Sequence, residues 1–301
     1  MISETYGESE RCALGTYVVT GSASGMGGKA AEKLRAAGHT VIGIDIHDAD
    51  IRADLSTHIG RRSAAQAALD ACGGILDGAV LAAGLGPIPG RQRLIAQVNY
   101  FGVVDVLTVL RPALARAANA KVVVIASNST TTTPLVPRRA IRALLAGDVD
   151  KALGAVRIFG SRSAPMIYAA SKIAVSRWVR RHAVTREWAG AGIRLNAIAP
   201  GAIMTPLLAE QLANPAEAKA IKAFPVPVGG YGDAGQLADW MVFMLSDAAD
   251  FLCGSIVFVD GGSDAYFRAE SWPAAVPVRG LPRYVVKFLS DMRSRRSSGA
   301  P

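Results

Sequence analysis

Residues 15–46, "GTYVVTGSASGMGGKAAEKLRAAGHTVIGIDI", decide the fold. The stretch opens on a β-rich run, passes through a glycine turn and continues as a helix from about Gly28 to Ala37. Gly38 stops that helix, and a second apolar strand follows, ending at Asp45. The reading is a βαβ unit, whose two strands must pair in parallel because a helix carries the chain back between them. Comparable apolar runs recur at "GAVLAAG" (78–84), "AKVVVIAS" (120–127), "IRLNAIAP" (193–200) and "SIVFVDGG" (255–262), with helix-like stretches between them.

Alternation of this kind predicts an α/β fold: a single doubly wound parallel sheet of the Rossmann type, covered on both faces, with ligands at the carboxyl ends of its strands. The glycine turn "TGSASGMG" (20–27) lies at such an end. Gly21, Gly25 and Gly27 let the backbone turn tightly and approach a pyrophosphate at a helix N-terminus, with Ser24 and Met26 on the same turn. Asp45 closes the next strand, where a carboxylate can accept bonds from adenosine ribose hydroxyls and repel a 2′-phosphate. No basic residue stands before Gly25, so the cofactor expected is NAD in preference to NADP.

The remaining composition bounds the alternatives. The chain has 301 residues, half of them hydrophobic, which suits one large α/β domain over 12–264. The net charge is +9, but residues 265–301 carry seven basic residues against two acidic ones, a net of +5. With no interleaving of aromatic and basic residues in the body, nucleic-acid binding is not expected. Cys12, Cys72 and Cys253 form no CxxC pair, and His39, His47, His58 and His182 are scattered, so neither a disulfide framework nor a metal site is expected. A reducing cytoplasm fits this usage. "MISETYGESER" (1–11) has acidic residues where a signal peptide would have a basic region followed by an apolar run, and no uninterrupted 18-residue apolar segment occurs, so neither secretion nor an integral membrane span is expected. The basic C-terminal extension, 265–301, contains an amphipathic stretch at 281–296; it suits peripheral membrane contact or, more commonly, docking on protein.

The chemistry is carried by "MIYAASKIAVSRWV" (166–179), a helical stretch that sets Tyr168 one turn before Lys172. Any two residues four apart on a helix are neighbours, so the pair alone says little. Chemically, a cation beside a phenol favours the phenolate and suits it to proton transfer.

Set in order along the chain, "TGSASGMG", "ADL" (53–55), "AAG" (82–84), "VNYFG" (98–102), "IAS" (125–127), "YAASK" (168–172) and "NAIAPG" (196–201) resemble the short-chain dehydrogenase/reductase family. The likeness runs from Thr16 to Gly262. Within the family, "GIDIHDADIRADLSTHIGRR", "LAAGLGP" and "IRLNAIAPGAIMTPLL" are similar to the bacterial 3α-hydroxysteroid dehydrogenase/carbonyl reductase subgroup. The resemblance implies an NAD(H)-dependent oxidoreductase that interconverts a secondary alcohol and a ketone on an apolar, cyclic or steroid-like substrate. It implies a catalytic set of Asn99, Ser127, Tyr168 and Lys172. Tyr168 is then the general acid/base, Ser127 the donor to the substrate oxygen, Lys172 the group that lowers the phenol pKa and holds the ribose, and Asn99 the anchor of a proton relay. It also implies cofactor contacts from Asp54 and Leu55, from Ala83 and Gly84, and from Pro200, Ile203 and Thr205. A protein that senses NAD(H) without turnover is the rival on the same fold.

Two departures from the family pattern stand out. "LAAG" (81–84) replaces the usual "NNAG", removing a side-chain bond that stabilises the strand. Ser127 and Tyr168 are 41 positions apart, far more than in compact members. The additional segment, about 134–164, has helical periodicity at Ile141, Leu144, Leu145, Val149 and Leu153 and a net charge of +4. It is expected to cap the substrate side of its own subunit and to obstruct the family's usual pairing through helices near 94–118 and 166–189. A homodimer through the sheet edge near Ser255 to Gly262 is expected instead.

Overall fold

A computed structural model describes residues 14–272, together with 278–282, 284–286 and 289. Among the described residues nine strands form: β1 Thr16–Thr20, β2 Thr40–Asp45, β3 Ile51–Arg52, β4 Gly78–Leu81, β5 Lys121–Ile125, β6 Arg194–Pro200, β7 Ile203–Met204, β8 Gly232–Asp233 and β9 Ile256–Val259. Seven of them make one sheet in the order β3-β2-β1-β4-β5-β6-β9, every neighbour parallel. β7 and β8 form a separate parallel pair. From β1 the chain first winds to one side through β2 and β3, then returns to β4 and winds the other way. The strand order therefore reverses between β1 and β4, the place where such sheets bind ligands.

Both faces of the sheet are covered, because successive strand side chains point to opposite sides. Val18, Ala79, Leu81, Val122 and Val124 enter one apolar core with the helices His58–Ala71, Gly102–Arg116 and Ser163–His182. Tyr17, Val19, Val80, Val123 and Ile125 enter the other with Gly25–Ala36 and Ala234–Leu245. The first helix begins at Gly25, three residues before the expected start, since Gly28 N–H already donates to Ser24 O at 2.9 Å.

The insertion is helical, with helices Arg138–Leu145 and Val149–Val156 followed by a 3-10 segment, Arg157–Arg162. Ala140, Ile141, Leu144, Ala152 and Val156 are buried in the core that contains the Ser163–His182 helix. The Arg93–Asp150 ion pair ties the insertion to the short helix Gln92–Ala96. Among the described residues one helix, Gln92–Arg116, is long and apolar enough to cross a membrane. Its Val106, Leu107, Leu110, Ala113 and Leu114 are fully buried in the core.

The chain divides into two compact units, one through Tyr266 and one from Phe267. The second has single turns at Ala269–Ser271 and Val278–Gly280. Most of the amphipathic stretch at 281–296, and Cys12, lie outside the described residues.

Candidate active site

Two adjoining cavities open at the carboxyl ends of the strands. The smaller, about 310 Å³, is lined by Gly21, Ser24, Gly25, Met26, Gly27, Asp45, Asp54, Leu55, Ala83, Gly84 and Thr205, all expected cofactor residues. Gly21 and Gly25 have φ of +70° and +56°, which side chains resist. A Cβ on Gly27 would lie 2.3 Å from Gly21 O, and one on Gly21 2.8 Å from the Ala83 backbone nitrogen. Backbone packed this closely at the start of a twelve-residue helix leaves room for a pyrophosphate against amides, so the cradle fits a dinucleotide.

The acidic residues of this cavity have local partners too. Asp45 Oδ2 accepts from Ala23 N–H at 3.1 Å and Oδ1 from Ile46 N–H at 2.7 Å, which fixes the carboxylate between the glycine turn and the end of β2. Asp54 accepts from the N–H and the hydroxyl of Ser56, both at 2.8 Å, forming a turn at the cavity rim. The side-chain bond missing from "LAAG" has a substitute: Thr20 Oγ1 accepts from Ala83 N–H at 3.1 Å. Thr20, Ile46 and His47 belong to this region and were not singled out from sequence. Their motif-neighbouring positions were the available signal.

The larger cavity, about 500 Å³, shares Met26, Ala82, Gly84, Leu85, Thr205 and Leu207 with the smaller. Ser127, Tyr168 and Lys172 all line it. The end of β5 delivers Ser127, and the Ser163–His182 helix, packed against that sheet face, presents Tyr168 and Lys172 one turn apart. Ser127 Oγ accepts from Ser129 N–H at 3.1 Å, which leaves its own proton to donate, and it is hydrogen-bonded to the Tyr168 hydroxyl. Tyr168 is half-buried and lines the cavity. Burial pushes the phenol above its ordinary pKa of 10.0, and the bond to Ser127 works in the opposite direction. Lys172 is buried and donates from Nζ to Ile125 O at 2.7 Å; burial pushes it down to about 8. The cation expected to depress the phenol is thus engaged with a backbone carbonyl, and the Tyr168 hydroxyl answers to burial and to Ser127.

Asn99 is fully buried in a π-helical turn, Gln97–Phe101. Its Oδ1 accepts from Leu85 N–H at 2.8 Å, and its Nδ2 donates to Leu85 O at 2.9 Å. The amide expected to anchor a relay is spent on holding the Gly84–Leu85 backbone. It stays close to Lys172: a Cβ on Gly84 would be 3.2 Å from Asn99 Oδ1 and 3.7 Å from Lys172 Nζ.

Opposite this wall lies a cover built from Ile203 to Phe224. Pro200, Ile203, Leu207, Leu208, Ile221 and Phe224 line the larger cavity. The cover is anchored at both ends. β7 pairs with β8, and Thr205 caps the helix Pro206–Ala213, accepting from Leu208 N–H at 3.3 Å. At the far end Ser263 Oγ donates to Pro225 O at 2.7 Å and Val228 N–H donates to Gly261 O at 3.1 Å. No residue of 134–164 lines the cavity, so the insertion does not cap the substrate side. Its apolar positions are committed to the Ser163–His182 helix. No group of three or more His, Cys, Asp or Glu side chains able to hold a metal ion occurs among the described residues.

A glycine cradle at the reversal of a parallel sheet, opening onto a paired serine and tyrosine, defines a dinucleotide-dependent oxidoreductase. Comparison with known proteins agrees, and the chain belongs to the short-chain dehydrogenase/reductase family. It is 38% identical to the 3-alpha-hydroxysteroid dehydrogenase/carbonyl reductase of Comamonas testosteroni, over 83% of this chain and 97% of that protein. The family described as Enoyl-(Acyl carrier protein) reductase matches residues 151–264. The crystal structure of the 3-alpha-hydroxysteroid dehydrogenase from Pseudomonas sp. B-0831 complexed with NADH is similar with a TM-score of 0.80 at 43% identity, covering 85% of this chain and 100% of that one. A putative gluconate 5-dehydrogenase from Beutenbergia cavernae with bound NADP aligns with a TM-score of 0.65 at 27% identity, over 85% of this chain and 100% of that one.

Proposed function

We propose that the protein interconverts a secondary alcohol and a ketone on an apolar, cyclic or steroid-like substrate, using NAD(H). The observation that carries this reading is the hydrogen-bonded Ser127–Tyr168 pair lining an apolar cavity that adjoins the glycine cradle. The hydroxysteroid dehydrogenase relatives support the substrate class, and the NADH of the Pseudomonas structure supports the cofactor.

In this reading Gly21, Ser24, Gly25, Met26 and Gly27 receive the pyrophosphate, Asp45 the adenosine ribose, and Asp54 and Leu55 the adenine side. Ala83, Gly84, Pro200, Ile203 and Thr205 flank the nicotinamide end. When bound, the nicotinamide supplies the hydride acceptor or donor. Tyr168, held protonated by burial, gives its proton to the carbonyl oxygen during reduction and takes the carbinol proton during oxidation. When substrate binds, Ser127 turns the proton it shares with Tyr168 to the same oxygen, so charge developing there meets two fixed donors. Lys172 has two further protons, beyond the one given to Ile125 O, for the ribose hydroxyls. Asn99 keeps the backbone beside Lys172 in place, the point at which the proton relay to solvent is anchored.

NAD preference rests on the Asp45 carboxylate and on the lack of a cation before Gly25. The catalytic domain is 12–264 and the basic extension 265–301. The protein acts as a homodimer through the β9 edge, where Ile256, Val257, Phe258 and Val259 are all half-buried. The free thiols Cys72 and Cys253 suit a reducing cytoplasm. The test is NADH and NADPH formation from a panel of cyclic secondary alcohols, with direct cofactor binding measured alongside. Tight NAD(H) binding without turnover of any alcohol or ketone would favour the sensing role instead.

A further inference from the structure

Next to Ser127 the cavity wall carries a side chain with nothing to do. Asn128 is 8% exposed and lines the larger cavity, yet its Nδ2 is buried without a hydrogen-bond acceptor. It caps no backbone N–H of the short helix Ser129–Thr132 that it precedes. The adjacent Ser129 Oγ, on the same wall, is buried and unpartnered as well. The Asn128 backbone, by contrast, is fully used. Its N–H donates to Pro200 O at 2.9 Å, and its carbonyl accepts from the N–H groups of Thr131 and Thr132, both at 3.0 Å. The hydroxyls of Thr131 and Thr132 donate to that carbonyl too, at 3.1 and 3.0 Å. The side chain is therefore carried on a locked backbone, with its nitrogen buried and without a protein acceptor.

A buried donor without a partner costs stability that an apolar side chain of the same size would not. Such groups persist where they are completed by something that binds. Of the cover residues that line the cavity, Leu207, Leu208, Ile221 and Phe224 offer no side-chain acceptor, and Gln211, which has one, is not bonded to the Asn128 nitrogen. One residue away, Ser127 and Tyr168 fix the reacting oxygen.

We propose that Asn128 is a specificity-determining residue whose amide takes a second oxygen of the substrate, placed away from the reacting carbon. This rests on the alcohol/ketone reading above and narrows it: the preferred substrate is an alicyclic compound bearing two oxygen functions. Its apolar ring lies against the cover and its second oxygen against Asn128, with Ser129 Oγ as an auxiliary donor.

The test compares the full-length wild type with Asn128→Leu and Asn128→Ala. Substrates are cyclohexanone and the cyclohexane-1,2-, 1,3- and 1,4-diones, with NADH and NADPH. Diones are intrinsically more electrophilic, so the change on substitution is what counts. Asn128→Leu is expected to lower kcat/KM for at least one dione by about tenfold or more while leaving cyclohexanone within about twofold, because only the dione loses a polar contact. NADH affinity should be unchanged. The Tm without ligands should hold or rise, since an orphaned donor has been removed. Asn128→Ala should show the same selectivity loss.

Equal losses for ketone and diones together with a lower Tm would make Asn128 a structural residue and overturn the inference. Loss of NADH affinity would assign the amide to the cofactor and overturn it as well. If the wild type reduced none of these ketones and oxidised none of the corresponding alcohols, the alcohol/ketone reading itself would fail, an outcome distinct from the other two.

Discussion

The two walls of the larger cavity are built to different standards. On one side, β5, the end of β6 and the Ser163–His182 helix hold Ser127 and Lys172 at 7% and 4% exposure, with Ala169, Ala170 and Ala174 fully buried around them. On the other, the helices Pro206–Ala213 and Pro215–Lys222 bury only Leu208 and Ala218 among the described side chains. Few buried contacts mean a low cost of local opening, whereas the first wall opens only if the core does. The difference teaches a division of labour. Proton transfer needs donors fixed to fractions of an ångström, and that precision is bought with core burial; admission of a ring needs a surface that can yield.

Substitutions can break or sharpen that contrast. Tyr168→Phe has the largest expected effect, a fall in kcat of at least about two orders of magnitude in both directions, because the proton goes while the ring packing stays. NADH affinity measured by fluorescence titration should not move, and near-normal turnover in this variant would mean that the fixed wall is not where the proton is held.

Lys172→Met comes next. Folded, Lys172 titrates at about 8, below its ordinary 10.5, so the native state gives up this proton before the unfolded chain does. The burial penalty is complete below pH 8 and is relieved as pH rises towards 10.5. Removing the charge should therefore help stability most near pH 7, and the variant's advantage over wild type should shrink by roughly 3 kcal/mol by pH 10.5. Urea melts across that range provide the measurement. A pH-independent difference would place the ammonium in a wetter site than the packing implies. Activity should fall as well, since the same nitrogen is proposed to hold the ribose.

Asp45→Ala should raise the NADP-to-NAD ratio of kcat/KM by about tenfold, through relief of charge repulsion at a 2′-phosphate. Because the substitution also frees the N–H groups of Ala23 and Ile46, cofactor affinity should weaken overall. A wild type that already prefers NADP would remove the basis for this prediction. The smallest effect is expected from the yielding wall: Leu207→Ala should raise KM for bulky ketones about threefold with kcat nearly unchanged, the signature of uniform binding. A large drop in kcat there would show that the cover takes part in aligning the reaction, and the contrast would be lost.

Much of the rigid wall was legible in the sequence. "TGSASGMG", "IAS" and "YAASK" are local patterns, and each places its residues through the backbone geometry of the strand end or helix on which it lies. Ser127, Tyr168 and Lys172 needed only the parallel sheet to bring them together. What escaped depended on neighbours distant in the chain. Nothing in "VNYFG" says that the Asn99 amide is consumed by Leu85, or that Thr20 replaces the asparagine missing from "LAAG". The insertion's periodicity foretold helices but not the surface they cover, since an apolar stripe fixes that a face is buried without saying against what. Asn128 was invisible for the opposite reason: its significance lies in a bond that is not made.

The anchoring of the cover has a further consequence. Residues 205–224 are held between the β7–β8 pair on one side and the ties from Ser263 to Pro225 and from Gly261 to Val228 on the other. Neither anchor involves Ser127, Tyr168 or Lys172. The segment is thus a cassette with two standard fittings: a stretch of different length or composition could be exchanged between them, carrying a new appetite to an unchanged serine, tyrosine and lysine wall.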